Sequence, residues 1–353
     1  MTENIDKKYM HMCLQLAQQA FGNTYPNPMV GCVIVYNSVV IGQGYHHKAG
    51  EPHAEVLAIE SVQDKSLLSQ STLYVNLEPC AHYGKTPPCS LAVIQNNIPR
   101  VVIGCVDTFS KVAGKGIQMM QNAGIQVEVG ILEQESRELN KRFFTYHEQK
   151  RPYIILKWAQ TQDGFIDIAP EYKMHKKGLW ITDDICKTLV HKWRTQEQAI
   201  LIGTNTADVD NPQLTARLVQ GNQPLRIVID RQNRLPDNLY VKDGSVSTII
   251  YTEELRNTHK YNVEYVNIDF SFNLWQQIYN DLYEREIQSV IIEGGAQILE
   301  DCIQNNLWDE MRVFIGPISF KKGVLAPNIE SLQPQNTEIV GNSVLHVFFN
   351  QKI

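Results

Sequence analysis

No apolar run in the chain approaches the roughly 18 residues that a membrane-spanning helix needs, and Met1 to Lys8 hold no hydrophobic core of a secretory signal. No membrane partner is expected. Cysteine is scarce and odd in number, seven at irregular spacing, which argues against a disulfide framework and for a reducing, cytoplasmic setting. Basic charge is also in deficit, with a formal net charge of −6 and a pI near 5.9. A partner held by neutralising a phosphate backbone is disfavoured, so a small-molecule substrate is expected and no nucleic acid. Fixed-period repeats and low-complexity segments are absent.

At 353 residues the chain exceeds the size at which one core stops growing, so two domains are expected. The first half reads as a helix over 6–21 behind an Asp6 cap, a hairpin (30–36 and 39–42), a helix opening at His53, and a strand over 72–77. A helix starting at Pro87-Pro88, a strand over 100–105, a helix over 115–122, a strand over 125–129 and a helix over 133–144 follow. Alternation of this kind means an α/β fold with a sheet covered on both faces. Polarity rises at Gln149-Lys150-Arg151-Pro152, which places the boundary between domains of 1–148 and 149–353. The second half alternates again, with strands at 153–159, 165–168, 198–202, 225–230, 246–251, 263–267, 289–292, 310–315 and 344–349. Helices interleave at 184–194, 274–284 and 296–304.

One constellation carries chemistry. His53-Ala54-Glu55 precedes Pro79-Cys80, and eight residues separate Cys80 from Cys89. One imidazole and two thiolates give zinc zero formal charge and leave one coordination position for water, whose pKa the metal lowers to about 7. Glu55, two residues from a ligand and not itself one, is placed to carry a proton from that water to a departing amine. The bland alternative is a structural zinc closed by His82 as fourth ligand. In the nucleobase-deaminase pattern two residues separate the cysteines; the longer loop here has room to read a substrate.

These residues, with Thr24-Tyr25-Pro26-Asn27-Pro28-Met29-Val30-Gly31 and the run Glu78 to Cys89, resemble the bifunctional riboflavin-biosynthesis deaminase/reductase family. Lys157 to Gly164, Trp180-Ile181-Thr182, His191-Lys192-Trp193-Arg194, Gly203 through Asp210-Asn211-Pro212 to Arg217, and Glu293-Gly294-Gly295 resemble its reductase half. The resemblance implies a zinc-dependent, cytidine-deaminase-like three-layer domain followed by a dihydrofolate-reductase-like α/β domain. It implies Zn2+ and NADPH as cofactors, a phosphorylated pyrimidine as substrate, and a homo-oligomer. The 2-amino group of 2,5-diamino-6-ribosylamino-4(3H)-pyrimidinone 5′-phosphate would leave as ammonia, and the ribosyl group would then be reduced to ribityl.

By the same resemblance the metal ligands are His53, Cys80 and Cys89, and the catalytic residues are Glu55 and Lys157. Substrate contacts fall on Asn27, His46, His82, Lys85, Thr182, Arg194, Asn211, Leu214, Arg217 and Glu293. Cofactor contacts fall on Ala159, Asp163, Trp180, Thr182, Gly203, Thr204, Thr206, Asp210, Asp230, Gly294 and Gly295. His47 competes with His46 for its role, and Asn27 between two prolines also reads as a loop-shaping residue.

Elementary chemistry supports part of that set. A lysine on an otherwise apolar strand is costly unless paired, so Lys157 marks a site or else a sheet edge. Arg194, one helical turn after His191, suits a phosphate by charge and fork geometry, or caps a solvated helix end. Glu293-Gly294-Gly295 between a strand and a helix can hold a phosphate on backbone N–H groups, although Gly-Gly also serves ordinary turns.

The chain departs from the family pattern at Phe109, where an asparagine is usual, and at Lys176-Lys177-Gly178, where the family's serine is missing. Phe109 either stacks on the pyrimidine or packs. Two further readings stand beside the leading one: a nucleobase or nucleoside deaminase with an unrelated appended domain, and a non-catalytic zinc-stabilised nucleotide-binding protein.

Overall fold

The computed structural model describes residues 2–83, 87–108, 113–168, 180–254 and 260–350. These form two compact units, Met1–Lys150 and Arg151–Ile353. No helix among the described residues is long and apolar enough to cross a membrane.

The first unit runs α1 (Thr2–Gln18), β1 (Gly31–Tyr36), β2 (Val39–Tyr45), α2 (Ala54–Ser61), β3 (Thr72–Leu77) and α3 (Cys89–Gln95). It continues with β4 (Arg100–Cys105), α4 (Lys115–Asn122), β5 (Gln126–Val129), α5 (Glu133–Leu139) and α6 (Lys141–Gln149). The sheet order is β2-β1-β3-β4-β5, with β3, β4 and β5 parallel and β1 antiparallel to both neighbours. Successive side chains on a strand point to opposite faces, and β1 shows it. Cys32 and Ile34 enter a core with Ala54, Ala58, Val93 and Met120, whereas Val33 and Val35 pack with Tyr9, Met10 and Cys13 of α1. Helices therefore cover both faces, a three-layer arrangement.

Two differences from the sequence reading have a side-chain cause. Asp6 does not cap α1, which begins at Thr2; its buried carboxylate instead accepts from Tyr74 Oη at 2.7 Å and pairs with Arg100 at 2.9 Å. The helix expected over 133–144 is two helices meeting at Asn140. The Asn140 side chain is committed to the backbone of Met29, accepting from its N–H at 2.8 Å and donating to its carbonyl at 2.9 Å.

The second unit runs β6 (Tyr153–Thr161), β7 (Phe165–Ile168), α7 (Asp184–Gln196), β8 (Ala199–Gly203), α8 (Thr204–Asp210), β9 (Leu225–Ile229) and β10 (Thr248–Thr252). Next come β11 (Val263–Asn267), α9 (Leu274–Glu284), β12 (Ser289–Ile292), α10 (Ala296–Gln304) and β13 (Glu310–Gly316). The chain closes with β14 (Gly323–Leu325), β15 (Asn336–Val340) and β16 (Ser343–Phe349). Nine strands form one sheet in the order β11-β10-β9-β8-β12-β6-β13-β16-β15, while β7 and β14 pair separately. Strands from β11 to β13 in that order are parallel, and β16 and β15 are antiparallel.

Burial on both faces explains why these strands read as continuous apolar runs. On β6, Ile154, Leu156 and Trp158 join the core under α9 and α10, whereas Ile155 and Ala159 face Trp193 of α7. Lys157 shares that second face by the period of two. The sequence pattern does not reveal α8, β14 or β15: α8 buries Ala207 alone, and β14 and β15 are largely exposed.

Candidate active sites

In the first unit the chemistry gathers at strand ends and helix starts, where open α/β sheets place their ligands. His53 is the residue before α2 and has extended backbone, Cys80 follows the end of β3, and Cys89 opens α3. His53 Nδ1 lies 3.6 Å from Cys80 Sγ and 3.2 Å from Cys89 Sγ. The three donor atoms all lie within 4.8 Å of one another. The Cys89 N–H donates to Cys80 Sγ at 3.3 Å. The Cys80 thiol is pulled down to about 4, first by its hydrogen bond with Cys89 and then by His53. Cys89 is pushed up by the same shared bond and by burial. Three soft or borderline donors, one already inclined to be thiolate, fit Zn2+, and metal binding displaces the remaining proton.

Glu55, in the first turn of α2, is 3% exposed, and its Oε2 has no hydrogen-bond partner. Burial raises its carboxyl to about 7. A carboxyl with one orphaned oxygen and a pKa raised to about 7, beside three metal donors, has the reactivity of a proton carrier. His82 is exposed and is not among the grouped donors, so among the described residues the donor set stays at three and leaves a position for water.

Asn27 and His46 meet at this site. Asn27 Nδ2 is 3.0 Å from His46 Nε2, and His46 Nδ1 is 3.2 Å from the Pro52 carbonyl. With Nδ1–H donating to that carbonyl, Nε2 accepts from the Asn27 amide, which leaves the Asn27 carbonyl oxygen available. Burial lowers the His46 pKa and keeps the ring neutral. The His46 and His53 rings stand edge to face, with centroids 5.3 Å apart. His47 is exposed and stacks on Tyr45 instead. Lys85 and Phe109 lie outside the described residues, as do Lys176, Lys177 and Gly178.

The sequence does not single out the residues that frame this site. Glu78, 4% exposed, accepts backbone N–H groups from Gly114 and Gly116, each at 2.9 Å, and from Asp107 and Ile117, each at 3.3 Å. It thereby fastens the start of α4 beside Cys80. Gly116 is required there, because a Cβ would strike the Pro79 carbonyl. Asn76 completes the hold on the Asn27 loop, accepting from Gly31 N–H at 2.8 Å and donating to the Met29 carbonyl at 3.1 Å. The one available signal is a buried-looking acid or amide at the end of an apolar strand, which must find partners.

In the second unit Gly203, Asp230 and Glu293 stand at the C-terminal ends of β8, β9 and β12. Arg194 of α7 reaches Glu293 with Nη2 at 2.8 Å and Nε at 3.4 Å, and donates to the Thr215 carbonyl at 3.2 Å. Burial alone would raise the Glu293 carboxyl, but Arg194 and Lys157 outweigh it and hold it at about 2. Burial pushes the Lys157 amine down, with Glu293 opposing and Arg194 assisting.

Glu293 is followed by Gly294, with φ +114°, and by Gly295 before α10. A Cβ on Gly295 would stand 3.3 Å from Thr206 Oγ1, so the cradle suits a ligand that approaches the backbone. The Gly203 N–H donates to the Gly294 carbonyl at 3.1 Å. These backbone features fit a dinucleotide phosphate.

Other expected contacts spend their polar atoms locally. Thr204 donates to the Ile229 carbonyl at 2.7 Å, and Asp230 accepts from the Leu235 N–H at 3.0 Å. Asn211 accepts from Tyr240 N–H at 2.8 Å, and Asp163 accepts from Lys321 N–H at 2.8 Å. Leu214 is buried, with φ +55°. Arg217 and Asp210 are exposed, and Ala159, Thr182 and Thr206 are half-buried. Trp180 is exposed beneath the Lys187 amine, 4.0 Å from the ring centroid.

A histidine–dithiolate site with a buried orphan carboxyl, and a parallel sheet with a glycine turn at its strand ends, define a zinc hydrolase of the deaminase class joined to a nucleotide-dependent oxidoreductase. Comparison with known proteins agrees. Residues 3–105 match the cytidine and deoxycytidylate deaminase zinc-binding region, and residues 152–333 match the RibD C-terminal domain. The riboflavin biosynthesis protein RibD of Aquifex aeolicus is 40% identical, covering 92% of this chain and 90% of its own. That of Escherichia coli is 36% identical, covering 88% of each. The crystal structure of a diaminohydroxyphosphoribosylaminopyrimidine deaminase/5-amino-6-(5-phosphoribosylamino)uracil reductase from Thermotoga maritima superposes with a TM-score of 0.88 at 35% identity, covering 98% of this chain and 99% of that one. Acinetobacter baumannii RibD gives 0.87 at 30% identity, with the same coverage. The chain belongs to the RibD family of riboflavin biosynthesis and is a bifunctional deaminase and reductase.

Proposed function

We propose that residues 1–148 hydrolyse the 2-amino group from 2,5-diamino-6-ribosylamino-4(3H)-pyrimidinone 5′-phosphate and that residues 149–353 then reduce its ribosyl group to ribityl with NADPH. The observation that carries the first step is the unpartnered, buried Glu55 Oε2 beside His53, Cys80 and Cys89. Zinc, when bound to those three residues, supplies Lewis-acid activation of a water. Glu55 takes a proton from the water as its oxygen bonds to C2, and returns it to the nitrogen as the C2–N bond breaks and ammonia leaves. Asn27, His46, His82 and Lys85 hold the pyrimidine and its phosphate.

In the second unit NADPH, when bound, supplies the reducing equivalents. Gly203, Thr204, Thr206, Asp210, Asp230, Gly294 and Gly295 hold it, together with Ala159, Asp163, Trp180 and Thr182. Lys157 sits at the sugar carbon that is reduced. Arg194, Asn211, Leu214, Arg217, Glu293 and Thr182 hold the substrate, whose phosphate suits the guanidinium groups. The enzyme works in the cytoplasm, without nucleic acid, as a homo-oligomer. The net charge of −6 supports the absence of nucleic acid, and the edge strand β15, which leaves Ile339 82% exposed, supports association.

The test is zinc content together with ammonia release on the diaminopyrimidine phosphate. About one zinc per chain with ammonia release is expected. Ammonia release from cytidine but not from the diaminopyrimidine phosphate would overturn the reading in favour of a nucleobase or nucleoside deaminase.

A further inference from the structure

The segment 214–218 sits against the last turns of α7 in a way that the substrate contacts alone do not explain. Leu214 and Ala216 are buried, 2% and 1% exposed, and the Ala216 N–H donates to Gln223 Oε1 at 2.8 Å. Arg217 and Leu218, which follow buried Ala216, are both exposed. Two side chains of α7, three residues apart and so on one face, hold this segment at its two ends. Arg194 donates to the Thr215 carbonyl at 3.2 Å, and His191 Nδ1 accepts from the Leu218 N–H at 3.3 Å.

His191 is 5% exposed, yet it carries none of the roles assigned above. Burial first, then the neighbouring Arg194 and Arg217 charges, lower its pKa to about 4. A neutral ring is what the contact requires, because a protonated Nδ1 could not accept from Leu218. The groups whose charges reach His191 are Arg194, Arg217, Glu293 and Lys157. Three cations face one carboxylate there, an excess of positive charge suited to a phosphate dianion.

We propose that His191 is a positioning residue of the reductase site: through the Leu218 N–H it fixes segment 215–218, and so aims Arg217 at the phosphate of the substrate. It acts through Arg217 and touches neither the reacting sugar nor the cofactor. This rests on the assignment of Arg217 to substrate binding, and it adds a residue whose replacement changes affinity for one ligand only.

The experiment is a double-mutant cycle in the full-length enzyme, read as substrate-dependent NADPH oxidation. Arg217→Ala raises KM for the phosphorylated substrate, with KM for NADPH unchanged. His191→Leu, which cannot accept, raises the same KM roughly tenfold, the size of one lost hydrogen bond, with kcat held within a factor of about three. His191→Asn, whose Oδ1 can take the place of Nδ1, restores KM to near the wild-type value. His191→Leu added to Arg217→Ala has little further effect, because both act on one contact.

A cooperative unfolding transition of His191→Leu followed by tryptophan fluorescence shows that its unit has folded, since all five tryptophans lie in Arg151–Ile353. Additive effects in the double variant overturn the proposal, as does equal loss in the Asn and Leu variants or a matching rise in KM for NADPH. If wild-type enzyme oxidises no NADPH with this substrate, the functional reading itself falls; if wild type turns over and the cycle is additive, only the role of His191 does.

Discussion

Glu293 is the carboxylate that faces Arg194 and Lys157 in the second unit, and Glu293→Gln tests that balance of charge. Both partners are largely buried, each side chain 11% exposed, so the pair is not an exposed one that solvent screens away. Its carboxyl is held at about 2 rather than 4.5 because Arg194 and Lys157 outweigh its desolvation. At about 1.4 kcal/mol per pH unit, this corresponds to ~3 kcal/mol of charge-dependent stability. The folded-state value is the lower one, so the contribution is fully present above pH 4.5 and is lost as pH falls toward 2. Glutamine keeps the shape and one acceptor for Arg194 but removes the charge.

The expected result is a variant less stable by ~3 kcal/mol at neutral pH, with the two proteins converging as pH falls below the free carboxyl value. The measurement is urea unfolding followed by tryptophan fluorescence. All five tryptophans lie in Arg151–Ile353, so this signal reports the reductase unit without contribution from the other. A difference below about 1 kcal/mol, the size of an exposed pair, would refute the balance drawn here. So would a difference that does not change between neutral pH and about pH 3.

Other perturbations separate the two chemistries. Glu55→Gln keeps its zinc but loses ammonia release by roughly 10²- to 10⁴-fold, since the proton carrier is gone and no metal ligand is touched; metal analysis beside an ammonia assay checks it, and full activity would sink the mechanism. Lys157→Ala abolishes substrate-dependent NADPH oxidation and leaves ammonia release intact; loss of both would point to misfolding or to a shared site. Removal of zinc by a chelator stops deamination, spares reduction of the deaminated substrate and lowers the thermal midpoint of the first unit, because a ligand bound only by the folded state stabilises it. Reduction that stopped along with deamination would contradict separate sites.

Legibility in the sequence followed the chemistry of each residue. The zinc donors were readable because soft ligands in the order His, Cys, Cys, with a glutamate two residues from the first, have few other uses. The structure places the same atoms within 4.8 Å of one another. Asn27 and His46 are types with many uses, and only the fold shows that they meet at 3.0 Å. What stayed hidden is what binds backbone. Glu78 gathers N–H groups from positions 29 to 39 residues away, and no local pattern encodes such partners. Asn140 looked like an ordinary mid-helix residue, but its side chain holds Met29 and breaks the helix there. The helix α8 was invisible for the opposite reason: with Ala207 alone buried, it has no apolar stripe to read.

The same distinction explains why the reductase half was harder to read than the deaminase half. A thiol pair and an imidazole announce a metal by type, whereas Asp163, Asn211 and Asp230 are types that serve a loop and a ligand equally well. Each of these three accepts a backbone N–H in the structure, so any hold on the cofactor comes from oxygen lone pairs left over, or from the loops that they shape. Replacing such a residue therefore perturbs the loop and the ligand together, and loss of activity alone does not separate the two effects. Lys157, Arg194 and Glu293 are different, because charges drawn out of water need one another, and here two cations face one carboxylate. Within the reductase unit the burden of proof falls on this charged cluster, where the cations exceed the carboxylates and a phosphate would restore the balance.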